Sequence, residues 1–168
     1  MAGANIANRM ASLGETFDDI GAFAERIGPT GRLIGIDAGT KTLGLALSDV
    51  TRTIASPLTV LQRKRFKEDA ADLLRIAKEH AAAGFVLGLP TNLDGTAGPR
   101  VQATRAFAKN LNALTPLPIL LWDERLSTAE AERTLLAADA SRKRRAAVID
   151  KLAATIILQG ALDRMRAK

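Results

Sequence analysis

Apolar positions in this chain fall into short blocks whose spacing separates strands from helices. Continuous apolar runs bounded by glycine, proline or acids predict buried strands, whereas apolar residues spaced three and four apart predict helices. The predicted strands cover 32–37, 43–48, 53–61, 84–90 and 119–122, and the predicted helices cover 66–83, 99–114 and 148–165. Tight turns join the first three strands, as in an antiparallel meander. The order predicts an α/β fold in which helices cover the faces of a mixed β-sheet.

The first 31 residues have a different character from the rest. Ser12 and Glu15 are spaced as a capping box for a short amphipathic helix, and Gly28-Pro29-Thr30-Gly31 separates this helix from the first predicted strand. We therefore expect residues 1–31 to be an extension that packs on, or frays from, a single domain formed by residues 32–168.

The stretch between the last predicted strand and the last predicted helix is less regular. Ser127 and Glu130 form a second capping box, which predicts a helix after them. Residues 139–145 are rich in basic side chains, and we predict little helix there.

Charge and composition narrow the function. The net charge of +6 and the pI near 10.2 favour an anionic partner, and nucleic acid is a commoner partner than a membrane for a compact basic domain. The chain has no cysteine, which excludes disulfides, zinc thiolate sites and a cysteine nucleophile. No apolar run approaches the roughly 20 residues of a membrane helix. We expect a cytoplasmic protein with no membrane contact.

Acidic residues stand where the predicted elements end. Asp37 ends the first strand, Asp123 and Glu124 follow the last one, and Asp150 lies early in the final helix. Because carboxylates beside an apolar sheet need a positive partner, these acids are candidate ligands for Mg²⁺ or Mn²⁺. Each acid also has a simpler interpretation, in which it caps a turn or complements a helix dipole.

Four motifs follow one another along the chain. They are Gly35-Ile36-Asp37-Ala38-Gly39-Thr40-Lys41 with Ser48-Asp49, Gly88 to Arg100, Asp123-Glu124-Arg125-Leu126-Ser127-Thr128, and Ile149-Asp150-Lys151-Leu152-Ala153-Ala154. In this order they resemble the YqgF/RuvX family, and the resemblance extends from about Arg32 to Asp163. Thr42 and Ser127 depart from residues frequent in that family, Arg and Thr respectively.

The resemblance implies an RNase H-like fold and a nuclease that processes the 5′ end of precursor 16S ribosomal RNA, related to Holliday junction resolvases. Its catalytic and metal-binding acids would be Asp37, Glu124 and Asp150, with Asp123 as a further catalytic candidate. Ribosomal particles would then be possible partners, and oligomeric state is open.

Basic residues near these acids are candidates for contact with nucleic acid. Lys41 and Arg125 each adjoin an acid, and they either neutralise it or contact the scissile phosphate. A second basic cluster at residues 62–67 is more often a solvated surface. The full set of candidates is Lys41, Arg100, Arg125, Arg142, Lys143, Arg144 and Arg145.

Three alternatives stay open at this level. The chain is a nuclease for RNA, a Holliday junction resolvase for branched DNA, or a nucleic-acid-binding factor without catalysis, acting in ribosome maturation or transcription. An ATP-binding relative of actin and Hsp70 shares the first hairpin motif, but that architecture expects a second domain that 168 residues do not accommodate. The glycine-rich loop after Gly88 lacks the Walker A spacing, so a P-loop nucleotidase is not expected.

Overall fold

The computed structural model describes residues 13–92, 94–126 and 142–167, and over 142–151 it describes the backbone alone. The strands are β1 (Thr16–Phe17), β2 (Arg32–Ala38), β3 (Thr42–Ser48), β4 (Ala55–Gln62), β5 (Ala82–Leu89) and β6 (Ile119–Asp123). The helices in this part of the chain are α1 (Ile20–Ile27), α2 (Phe66–Glu79), α3 (Pro99–Asn112) and α4 (Arg142–Arg166), and a 3₁₀ turn (Glu124–Leu126) follows β6.

The strands form one mixed sheet in the order β1-β6-β5-β2-β3-β4. Strands β2, β3 and β4 are the antiparallel meander that the sequence predicts, whereas β5 pairs parallel with both β2 and β6. The predicted fold class is therefore confirmed. Because β2, β5 and β6 run in the same direction, their carboxyl ends meet at one edge of the sheet.

Helices cover both faces of this sheet, and the alternation of side chains assigns each strand residue to a face. In β2, Ile34 and Ile36 are fully buried in a core cluster shared with α2 and α3. Leu33 belongs to the opposite cluster, which is completed by α4. Asp37, two residues beyond Gly35 and four beyond Leu33, lies on the α4 side by the same alternation.

Helix α4 approaches the sheet closely because β2 carries a glycine beneath it. A Cβ atom added at Gly35 would lie 2.7 Å from the Cβ of Leu158 and 2.9 Å from the backbone oxygen of Ala154. Small residues on the helix complete the fit, since Ala154 and Ala161 are fully buried. Neither surface has room for a larger side chain at this crossing.

The start of α4 corrects one prediction. The sequence predicts little helix over residues 139–145, but the helix begins at Arg142 and not at Val148. Arg and Lys are good helix formers, so a run of them followed by alanines continues a helix even where no apolar stripe signals it. Residues 139–141, and the capping box of Ser127 and Glu130, lie outside the described residues.

The predicted boundary between α2 and β5 also moves. The helix ends at Glu79 and the strand begins at Ala82, whose Cα pairs with that of Arg32 in β2. Ala81 adopts a positive φ of 50°, which ends the helix. Ala82 and Ala83, which their apolar spacing assigned to the helix, therefore belong to β5, which pairs with β2.

The N-terminal segment packs on the sheet. Strand β1 pairs parallel with β6, and Phe23 of α1 is fully buried against the α4 side of the core. The predicted capping box is wrong for Glu15, because α1 begins at Ile20 and Asp19 caps it by accepting from the Ala22 amide; Ser12 lies outside the described residues. The division of the chain at residue 31 stays a prediction.

Arg52, in the turn between β3 and β4, holds this segment in place. Its guanidinium donates to the carbonyls of Ile27, Gly28, Thr30 and Gly31, with an Nε to Gly31 distance of 2.6 Å. Arg52 is 8% exposed, and this desolvation lowers the pKa of its guanidinium. A positive charge here also complements the carboxyl end of α1.

Among the helices of the described residues, we find none with the length and apolar character of a membrane-spanning segment.

We predict that Arg52→Met lowers the free energy of unfolding by about 2 kcal/mol, because the carbonyls at the end of α1 lose a charged donor. Arg52→Lys is the matched control, since it keeps the charge near the helix terminus but lacks the guanidinium fork. It should recover part of the loss in urea unfolding. Equal stability of wild type and Arg52→Met would show that the segment is held by other contacts.

Candidate active site

Two of the predicted acids, Asp37 and Glu124, lie at the edge of the sheet where the parallel strands have their carboxyl ends. Ile36 of β2 pairs with Leu87 of β5, and Leu87 pairs with Leu121 of β6. Asp37, the next residue of β2 after Ile36, is therefore at the same edge at which β6 ends. Strand β5 lies between them, so their backbones are separated by two strand spacings, about 10 Å.

Glu124 spans much of that separation. It lies in the 3₁₀ turn after β6, and its Oε1 atom is 2.9 Å from the position that a Cβ on Gly88 would occupy. The carboxylate therefore lies over β5, one strand spacing or about 5 Å from β2. Ile157 of α4 contacts the same position on Gly88, with its Cδ1 atom 2.5 Å from it. Glu124 is thus on the α4 side of the sheet, as is Asp37.

Asp123 is held differently from its neighbour. Its carboxylate accepts from the Arg125 Nε at 3.0 Å and from the Arg125 Nη2 at 2.6 Å, and its Oδ1 also accepts from the Arg125 amide. The side-chain hydrogen bond from Arg125 lowers the pKa of Asp123, and the same bond raises the pKa of Arg125. Arg125 is therefore a cationic partner of Asp123.

Asp150 lies in α4, one turn before Ala154. The helix runs antiparallel to β2: Ala154 and Leu158 lie over Gly35, while Gln159 farther along bonds the Ala55 amide where β4 begins. The amino-terminal part of α4 therefore extends toward the edge that carries Asp37. The side chain of Asp150 lies outside the described residues, and the described side chains include no cluster of three acids or histidines.

The glycine-rich loop before α3 is ordered by its own side chains and reaches the same edge. Asp94 accepts from the Thr96 amide and hydroxyl, and the hydroxyl bond lowers the pKa of Asp94. Gly95 has a φ of 86°, a conformation that favours glycine. A Cβ there would lie 3.3 Å from Nη1 of Arg125. Arg125 thus lies between Asp123 and this loop.

Similarity to known proteins identifies the family of this chain. The family model described as "RuvX: Holliday junction resolvase" matches residues 31–164. The chain belongs to the RuvX family. Curated relatives of this family named "Putative pre-16S rRNA nuclease" include one from Paracoccus denitrificans, 60% identical over 89% of this chain and 94% of its own length, and one from Beijerinckia indica, 61% identical over 83% and 84%.

Solved structures show the fold at lower sequence identity. The RuvC of Thermus thermophilus in complex with Holliday junction substrate superimposes with a TM-score of 0.52 at 14% identity, covering 81% of this chain and 96% of that protein. A second Thermus thermophilus RuvC structure gives 0.51 at 15% identity, covering 80% and 96%. The sheet of this RuvX-family chain is thus the RNase H-like sheet that RuvC also has.

The predicted basic residues of this RuvX-family chain whose side chains are described are Lys41, Arg100 and Arg125. Lys41 is exposed in the turn between β2 and β3, and Arg100 is exposed in the first turn of α3. Arg100 and Thr40 line a cavity of about 100 Å³ between that turn and α3. Residues 142–145 form the first turn of α4, and their side chains lie outside the described residues.

The role of Gly88 is not apparent from the sequence pattern. There this glycine belongs to the end of an apolar run, whereas the structure places both Glu124 and Ile157 against it. A glycine inside a buried strand often marks a close approach, and that was the available signal.

We predict that Gly88→Ala destabilises this RuvX-family protein by about 1–3 kcal/mol, because the new methyl group overlaps Glu124 and Ile157. Ile157→Val deletes the Cδ1 atom, which is the nearer of the two obstacles. In urea unfolding, the double variant should therefore be more stable than the sum of the single changes predicts. Strict additivity would mean that α4 does not contact β5 here.

Proposed function

We propose that this protein is a metal-dependent nuclease that hydrolyses phosphodiester bonds, and that its substrate is the 5′ region of precursor 16S ribosomal RNA. The observation that carries the proposal is the Glu124 carboxylate, which lies over Gly88 on the same face and edge of the sheet as Asp37. The names of relatives that are about 60% identical over most of the chain support the choice of substrate.

The residues at this edge suit Mg²⁺ or Mn²⁺. Both ions prefer oxygen ligands, and Mg²⁺ usually binds through one or two carboxylates together with substrate phosphates. Asp37 and Glu124 are half-buried acids of this kind, and neither histidine nor cysteine is near them in sequence. Asp37, Glu124 and Asp150 would hold the ion or ions, which when bound activate water and stabilise negative charge on the phosphate.

The protein's own groups would position the nucleic acid. The net charge of +6 attracts a phosphate backbone. The candidate contacts are Lys41 and Arg100 beside the end of β2, together with the basic residues 142–145 that open α4. Arg125 and Asp123 form an ion pair of 2.6 Å, and the Glu124 carboxylate lies over Gly88 on the same face as Asp37. We therefore propose that Asp123 supports the position of Arg125 and that Glu124 is a metal ligand.

We also propose where the reaction takes place and which residues form the nuclease domain. The substrate would be met on ribosomal particles in the cytoplasm, and residues 32–168 would form the nuclease domain, with 1–31 as its extension. A Holliday junction is the second candidate substrate, because the family model is described as a resolvase. Metal-free binding without cleavage is the outcome that would favour a non-catalytic binding factor.

We predict that Asp37→Asn abolishes cleavage while preserving the fold, since the amide keeps the volume of the side chain but loses its charge. Several kcal/mol of charge stabilisation correspond to a loss of about 10³-fold. The assay uses end-labelled precursor 16S RNA and a four-way DNA junction, each with Mg²⁺, Mn²⁺ or EDTA.

Two further variants sharpen this assay. Glu124→Gln should behave as Asp37→Asn does, whereas Asp123→Asn, the matched control one residue away, should retain most of the activity. Full activity of Asp37→Asn would remove that residue from the mechanism. Loss of activity in Asp123→Asn but not in Glu124→Gln would reverse the assignment of the two acids.

We also predict that replacing Arg144 and Arg145 by alanine weakens RNA binding and reduces the slope of log K against log[salt] by about 1.4 to 1.8, because about 0.7 to 0.9 counterions are released for each phosphate contact. The control is the double replacement of Arg75 and Lys78, which removes the same charge from α2. An unchanged slope in the Arg144 and Arg145 variant would place the nucleic acid elsewhere.

A further inference from the structure

Arg63 is a basic residue outside the acidic site whose contacts converge on the turn after Asp37. It follows β4 directly, and its amide donates to the Lys41 carbonyl at 2.8 Å. This bond continues the pairing of β4 with β3 by one residue beyond the pair of Thr42 and Gln62. The main chain of Arg63 therefore holds one side of the turn.

The side chain of Arg63 holds the other side of the same turn. Its Nη1 atom donates to the Gly39 carbonyl at 2.7 Å. Gly39 is two residues after Asp37, and its own amide donates to the Thr42 carbonyl at 2.9 Å. One residue thus donates to the carbonyls of both Gly39 and Lys41, and the turn after β2 is bonded on both sides.

Two other elements fix the guanidinium itself. Its Cζ atom lies 5.6 Å from the centre of the Phe107 ring of α3, a cation–π distance. Its Nε atom lies 3.9 Å from Oδ2 of Asp69 in α2. Phe107 is 5% exposed, so the ring that supports Arg63 belongs to the core.

The burial of Asp69 makes its contact with Arg63 important for stability. It is 1% exposed, its Oδ1 accepts from the Lys64 amide at 3.0 Å, and its Oδ2 has no hydrogen-bond partner among the described residues. A buried carboxylate is costly without a nearby cation. Within the described part of the chain, Arg63 is the cation at ion-pair distance from it. Loss of the Arg63 guanidinium would therefore leave the buried Asp69 carboxylate without this cation.

We propose that Arg63 is a positioning residue for Asp37: it ties the turn after β2 to α2 and α3, and so presents the Asp37 carboxylate to the metal ion. The proposal rests on the function proposed above. This role is specific to Arg63. If the basic cluster at 62–67 only contacted nucleic acid, its cations would be equivalent.

The test compares Arg63→Gln, Arg63→Lys and the control Arg65→Gln. Arg65 is exposed two residues away, and its side chain makes no cap to α2, so its replacement removes the same charge without touching the turn. Mn²⁺ binding without substrate is measured by titration calorimetry, and amide hydrogen exchange is measured at Gly39 and in β5. Cleavage is measured over a range of Mg²⁺ concentrations, well below the unfolding temperature of each variant.

We expect Arg63→Gln to weaken Mn²⁺ binding and to raise the Mg²⁺ concentration for half-maximal cleavage by about 10-fold, as outer contacts to metal ligands do. Exchange at Gly39 should accelerate while exchange in β5 stays unchanged. Arg63→Lys should be intermediate, because it keeps the charge but not the fork. Arg65→Gln should match wild type in Mn²⁺ binding.

Two results would overturn the proposal in distinguishable ways. If wild type binds Mn²⁺ and Arg63→Gln binds it as well as Arg65→Gln does, Arg63 does not position Asp37, and the proposed nuclease stands. If wild type itself neither binds Mn²⁺ nor cleaves either nucleic acid, the proposed function fails, and the role of Arg63 fails with it.

Discussion

The close approach of α4 to β2 and β5 is the constraint on which the candidate site depends. Because Gly35 and Gly88 have no side chains, the backbone of Ala154 and the side chain of Ile157 contact the sheet directly at these two positions. The same helix carries Asp150 one turn before Ala154. Because interiors are close-packed, a methyl group added at Gly35 must displace the helix, and one added at Gly88 must displace the Ile157 side chain and the Glu124 carboxylate. Packing within the core therefore sets the spacing of the acids.

Charges at this edge are divided between the two sides of the sheet, and the division explains how several acids are tolerated in one region. Asp123 is neutralised by Arg125 through a bidentate pair, and Asp69 is neutralised by Arg63 beneath the neighbouring turn. Those two acids stabilise loops. The Glu124 carboxylate lies over β5 on the α4 side, which is the side of the proposed metal site.

The strands and helices were predictable because their apolar runs end at glycine, proline or acids, and the motifs indicated the RNase H-like arrangement that the family match and the sheet confirm. The different surroundings of Asp123 and Glu124 were not predictable, since they depend on which side of a strand each residue takes as β6 enters a 3₁₀ turn. Arg63 was unpredictable for a similar reason: its partners lie in elements far apart in sequence. The start of α4 was missed because consecutive cations hide the helical period while still favouring a helix.

A crystal structure of the protein with Mn²⁺, located by its anomalous scattering, would test the proposed metal site most directly. We expect a peak bound by carboxylate oxygens of Asp37 and Glu124 on the α4 side of the sheet, with Asp123 still paired to Arg125. A peak on Asp123, or ordered acids with no peak at saturating Mn²⁺, would contradict the assignment of the metal to Asp37 and Glu124.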